Sequence, residues 1–134
     1  MKHIIYTSRA PSPVGPYSQA ICIDGWLFVS GQIPIDPNTG KIVKGGFTAK
    51  AERTLKNVIS IVEESGGSTR DIVKITVYMR DLSLFEEFNK VYKRFFPEGE
   101  YPARVVVGVA SLPKNADLEI EAIARLKEGC KNSK

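Results

Sequence analysis

Two stretches at helical spacing lie between stretches that alternate apolar and polar residues at every second position. That interleaving restricts the chain to a sheet with helices laid against it. Residues 71–80 alternate most cleanly, with Val73, Ile75, Val77 and Met79 on one face and Lys74, Thr76, Tyr78 and Arg80 on the other. Strands are also expected over 17–23 and 26–30, joined by the hairpin pair Asp24-Gly25. Two more are expected over about 103–110 and 117–126, separated by the turn Leu112-Pro113-Lys114-Asn115. The first helix is predicted over about 48–65, where Ala51, Leu55, Val58, Ile59 and Val62 recur at helical spacing and Gly66-Gly67 supplies the stop. The second is expected to start at Ser83, with Glu86 completing a capping box and Pro97 ending it. Its buried stripe is Phe85, Phe88, Val91, Tyr92 and Phe95. The order of elements gives an α+β fold, a mixed sheet with both helices on one face.

Within that pattern two charged residues are set into apolar strands: Arg104 in Ala103-Arg104-Val105-Val106-Val107, and Glu119 in Leu118-Glu119-Ile120-Glu121-Ala122-Ile123. If these strands pair, a guanidinium and a carboxylate can meet on the side away from the core. A planar guanidinium suits bidentate recognition of a small carboxylate, the outline of a substrate clamp. A structural ion pair from Arg104 to Glu119 or Glu121 is the open alternative. Glu119 can orient a water and move its proton if partial burial lifts its pKa, and Glu121 competes for that role on the same strand face. The sheet face assigned to Arg104, Val106, Glu119, Ile123, Tyr78 and Thr76 is too apolar for solvent and too charged for a private core. Copies of the same chain are expected to cover it.

Bulk features remove several function classes. The 134 residues suit one domain, 1–127, with a frayed polar tail over 128–134. A net charge of +4 without an arginine-rich run or stacking aromatics does not point to nucleic acid. No apolar run approaches membrane-spanning length, and the first residues do not read as a signal peptide. Cys22 and Cys130, the second in the polar tail, predict no disulfide framework and hence a reducing, cytoplasmic compartment. His3 is the sole histidine, so neither a Ser-His or Cys-His dyad nor a metal cluster is expected. Positioning, hydrogen bonds and one carboxylate are left to carry any chemistry.

Four motifs, Gly15-Pro16-Tyr17-Ser18-Gln19-Ala20, Ser30-Gly31-Gln32-Ile33-Pro34, Pro102-Ala103-Arg104 and Glu119-Ile120-Glu121-Ala122-Ile123-Ala124, stand in the order found in the Rid (reactive intermediate deaminase, or YjgF) family. The chain resembles that family nearly from end to end. The resemblance implies a chorismate-mutase-like α+β fold, a homotrimer with ligand clefts between subunits, and no cofactor. It implies hydrolysis of short-lived enamines and imines such as 2-aminoacrylate, released by pyridoxal-phosphate-dependent dehydratases, to 2-keto acids and ammonia. Arg104 matches the family's carboxylate-binding arginine and Glu119 its acidic residue. Tyr17 matches its cleft aromatic, Ser30 and Gly31 its cleft loop, and Asn89 a helix asparagine near the cleft. Taken alone, Tyr17 also fits plain core, Ser30-Gly31 a bulge, and Asn89 a loop cap. Val106 stands where many members carry cysteine, which leaves its backbone carbonyl, rather than a thiol, to meet the substrate nitrogen. An RNA-cleaving or translation-inhibiting protein and a non-catalytic carboxylate sensor are the competing classes.

Overall fold

The computed structural model describes residues 1–131. Six strands run β1 (His3–Ile5), β2 (Ala20–Ile23), β3 (Trp26–Gln32), β4 (Ile72–Met79), β5 (Ala103–Gly108) and β6 (Leu118–Arg125), with helices α1 (Phe47–Glu64) and α2 (Phe85–Tyr92). They form one sheet in the order β1-β2-β3-β6-β4-β5. Every neighbouring pair is antiparallel except β4 and β5, which run parallel. Both helices cover one face. Between them and the sheet lie Leu27, Leu55, Ile61, Ile75, Met79, Phe88, Leu118 and Ile120, all essentially inaccessible to water. Asp24 and Gly25 turn the β2–β3 hairpin with φ of 52° and 80°, the left-handed pair that matches strand twist.

Several elements differ from the sequence expectation for local reasons. β1 was not foreseen, since three residues carry no readable alternation; it adds to the edge by pairing with β2. On β4 the register slips between Ile72 and Lys74, so Ile72 takes the buried place and Val73 turns outward. The turn before α2 is capped by Asp81, whose carboxylate accepts from the Ser83 N–H at 3.0 Å, and not by Ser83 itself. After Tyr92 the chain leaves the helix, and that change of direction buries Phe96 more deeply than Phe95.

Two corrections bear on function. Strands β5 and β6 do not pair, because β4 lies between them. Arg104 sits opposite Ile75 on the helix-covered face, whereas Glu119 sits opposite Tyr78 on the open one. The expected Arg104–Glu119 meeting therefore does not occur within one chain, and Arg104 and Val106 leave the open face to Val105 and Val107. The second correction is a Cys22–Cys130 disulfide across 108 residues of sequence. The segment after β6 is tied down rather than frayed: Gly129 N–H donates to the Leu126 carbonyl at 2.9 Å and Lys131 N–H to the Ser65 carbonyl at 2.7 Å. Those bonds carry Cys130 back over β2, where Cys22 is buried. The thiol-based argument for a reducing compartment falls with it. The rest of the predicted tail, 132–134, lies outside the described residues. Among those described, no helix is long and apolar enough to cross a membrane.

Candidate active site

A bulge in β3 builds the first half of the site. The β3–β6 register passes from Val29 opposite Ala122 to Gln32 opposite Ile120, so Ser30 and Gly31 together face the single residue Glu121. Ser30 is anchored, its Oγ donating to the Ser18 carbonyl at 2.6 Å and its N–H to the Gln19 carbonyl at 2.9 Å. Gly31 stands directly against Glu119: a Cβ at this position would overlap the Glu119 carboxylate. Only glycine leaves that carboxylate its place.

Above the bulge lies a cavity of about 470 Å³, lined by Ser12, Tyr17, Ser30, Gly31, Glu119 and Pro113 among others. Its rim is the loop between β1 and β2, shaped by the buried amide of Gln19. That amide accepts from the Thr7 N–H at 2.7 Å and donates to the carbonyls of Thr7, Ala10 and Pro11. Tyr17 is half-exposed, packs against Gly15, and accepts from the Val14 N–H at 3.2 Å through its hydroxyl. The opposite wall, Ile33 to Ile35, hangs from Asn57 of α1, whose Nδ2 donates to both carbonyls at 3.1 and 3.0 Å.

Glu119 is half-buried at this cavity, and no described residue hydrogen-bonds its carboxylate. Burial, with a smaller push from the charge on Glu121, holds it above the usual carboxylate range. Glu121 is engaged elsewhere, accepting from the Tyr78 hydroxyl at 2.9 Å. That engagement separates the two carboxylates, which strand position alone did not.

The second half lies at the β5 edge beneath α2. Arg104 makes no hydrogen bond or ion pair with any described residue; its guanidinium instead lies among the rings of Phe85, Phe88 and Tyr92. The open alternative, a structural ion pair to Glu119 or Glu121, is not formed. Val106 follows on the same strand face. Val109 N–H bonds to the Met79 carbonyl, so by strand alternation the Val106 carbonyl points off the free edge of the sheet. Asn89, four residues after Phe85 and three before Tyr92, shares their side of α2, and its side chain has no described partner.

Tyr17, Ser30, Gly31 and Glu119 thus come together at one place, and Asn89, Arg104 and Val106 at another; one chain does not join the two. The supporting residues Gln19 and Asn57 were missed. Their signal was present, a polar side chain within an apolar strand start and one within the apolar stripe of α1. Among the described residues no group of three or more His, Cys, Asp and Glu side chains is placed to hold a metal.

Comparison with known proteins follows the same residues. The family described as Endoribonuclease L-PSP matches residues 7–126. A RutC family protein of Pyrococcus abyssi is 51% identical over 92% of this chain and 96% of its own length. The human 2-iminobutanoate/2-iminopropanoate deaminase is 40% identical over 92% of this chain and 90% of its own. Among solved structures, E. coli TdcF with bound serine superposes with a TM-score of 0.86 at 48% identity, covering 91% of this chain and 97% of that one. A Yersinia pestis protein of the Rid family superposes with a TM-score of 0.91 at 40% identity, over 94% of this chain and all of that one.

Proposed function

The chain belongs to the Rid (RutC, YjgF/L-PSP) family, and from that premise we propose that it is an enamine/imine deaminase. It converts reactive intermediates such as 2-aminoacrylate and 2-iminobutanoate to 2-keto acids and ammonia. The observation that carries this reading is Arg104, a guanidinium that no carboxylate among the described residues neutralises. Such a group is available to a small carboxylate ligand. The human relative named as a deaminase and the serine-bound TdcF support a small amino- or imino-acid as that ligand.

Catalysis asks little of the protein beyond placement. Arg104 holds the substrate carboxylate while the Val106 carbonyl accepts from the protonated imine nitrogen. Water, oriented beside Glu119, adds to the imine carbon; a C–O bond forms as the C=N pair moves to nitrogen, and Glu119 takes the water's proton. Glu119 returns that proton to nitrogen, then takes the hydroxyl proton as the C–N bond breaks, so that the carbonyl forms and ammonia leaves. A carboxylate lifted above its usual range suits both transfers. Tyr17 packs on the planar substrate, Ser30 and Gly31 shape the floor, and Asn89 donates to the substrate from the second half-site.

The two halves meet in a homotrimer, where Arg104, Asn89 and Val106 of one protomer face the cavity of the next. The open sheet face supports this assembly: Ile23, Trp26, Phe28, Val105 and Val107 are each more than a third exposed there.

The test adds the protein to a pyridoxal-phosphate-dependent dehydratase turning over serine or threonine, with a scavenger that captures the free intermediate. Faster keto-acid release is expected, and no acceleration on either substrate overturns the reading. The endoribonuclease description of the matched family keeps RNA cleavage as the second reading. It is checked by incubating the same preparation with RNA. Carboxylate binding without turnover would instead identify a sensor.

Gly31→Ala supplies a further expectation. Its backbone is not in the left-handed region, so alanine is tolerated by the fold. The added methyl displaces Glu119, and misplacing a catalytic group by about 1 Å costs on the order of 100-fold. Turnover is expected to fall by that amount, with the melting temperature within a few degrees of the parent; unchanged turnover would remove Glu119's present position from the mechanism.

A further inference from the structure

We propose that Tyr92, together with Phe85 and Phe88, is a positioning device for Arg104, an aromatic cradle that fixes the guanidinium while leaving its N–H donors unspent. This rests on the reading of Arg104 as a carboxylate anchor. The three ring centroids lie 4.8, 5.6 and 5.9 Å from the guanidinium carbon, for Tyr92, Phe85 and Phe88 respectively. All are within the range of cation–π attraction. Positions 85, 88 and 92 fall on one side of α2, so a short helix delivers all three rings to one cation.

An arginine can be held in place in two ways. A protein carboxylate fixes it through its donors, but then competes with any carboxylate ligand for the same fork. Rings hold the cation through its charge and its faces, and compete for nothing. The cradle is itself rigid. Tyr92 is buried between Phe96, at 4.7 Å, Phe88, at 5.5 Å, and Tyr101, stacked at 6.5 Å. The Tyr92 hydroxyl is buried and has no hydrogen-bond partner among the described residues, so the ring and not the hydroxyl acts on Arg104. Burial pushes its pKa up to about 12, and it stays neutral beside the cation.

The test measures binding of 2-oxobutanoate, a stable 2-keto acid, and of its uncharged analogue 2-oxobutanamide, to the parent protein and to Tyr92→Leu, Tyr92→Phe and Phe85→Leu. The preference of the parent for the carboxylate over the amide is expected to fall about tenfold in both leucine variants and to persist in Tyr92→Phe. General loosening would weaken both ligands equally and leave the preference intact, which overturns the proposal. An equal loss in Tyr92→Phe also overturns it, by assigning the effect to the hydroxyl. Phe85, only half-buried, keeps the test open if Tyr92→Leu fails to fold. A parent protein without carboxylate preference overturns both the anchor and its cradle. The deaminase reading fails separately: preference that depends on the cradle, without turnover, removes the reaction but leaves this inference standing. Turnover with unaltered preference in the leucine variants does the reverse.

Discussion

Arg104→Ala is expected to lower kcat/KM for imine hydrolysis by about 30- to 5000-fold while the protein keeps its fold. The magnitude follows from what is lost. Truncating one partner of a desolvated, hydrogen-bonded charge pair costs about 2–5 kcal/mol, and about 1.4 kcal/mol is a factor of ten in rate. The fold is spared because Arg104 makes no hydrogen bond or ion pair with any described residue, only contacts with three rings, of which Phe88 and Tyr92 stay packed on each other. Arg104→Lys is expected to fall between parent and alanine, since an ammonium keeps the charge but neither forks to two oxygens nor stacks flat on a ring. The dehydratase-coupled assay measures both, with circular dichroism and thermal melting as the check on folding. An alanine variant with full activity would dispose of the clamp and of the mechanism built on it.

Breaking the Cys22–Cys130 bond is expected to cost as much stability as truncating a large side chain of the core. The bond closes a loop spanning 108 residues of sequence, nearly the whole domain. In the chain-entropy account a loop near that length withdraws about 4–5 kcal/mol of freedom from the unfolded state. Removing native disulfides typically costs about 2–5 kcal/mol. Cys130→Ser should therefore lower the melting temperature by roughly 10 °C or more. Reductant should do the same to the parent once it reaches the bond, although Cys22 is buried and shields it. The variant itself should be indifferent to reductant. Identical melting of the parent in oxidising and reducing buffer, with thiols shown to be free in the latter, would contradict the expectation. Turnover is expected to survive, because neither cysteine lines the cavity.

The sheet, the two helices and the cavity floor were legible from residue order because each depends on neighbours in sequence. Alternation over 71–80 marks β4, the recurrence of Leu55, Val58 and Val62 marks the buried side of α1, and Asp24-Gly25 marks the hairpin. Ser30, Gly31 and Glu119 were recognisable as motif positions, and they do meet. The face of Arg104 was not legible. Alternation assigns residues of one strand to opposite faces but cannot say which face is covered, nor which strands adjoin. The same pattern suits Arg104 beside Glu119 or Arg104 beneath α2, and the insertion of β4 between β5 and β6 decided it. Likewise the pairing of two cysteines, and of Arg104 with three rings rather than a carboxylate, depends on distances through space that chain order does not contain. Sequence by itself determined which residues are present with the chemistry that the proposed anion binding and proton transfer need. Only the tertiary structure decided that one chain holds them as two separate halves, because strand order and the choice of covered face are set by how the whole sheet packs.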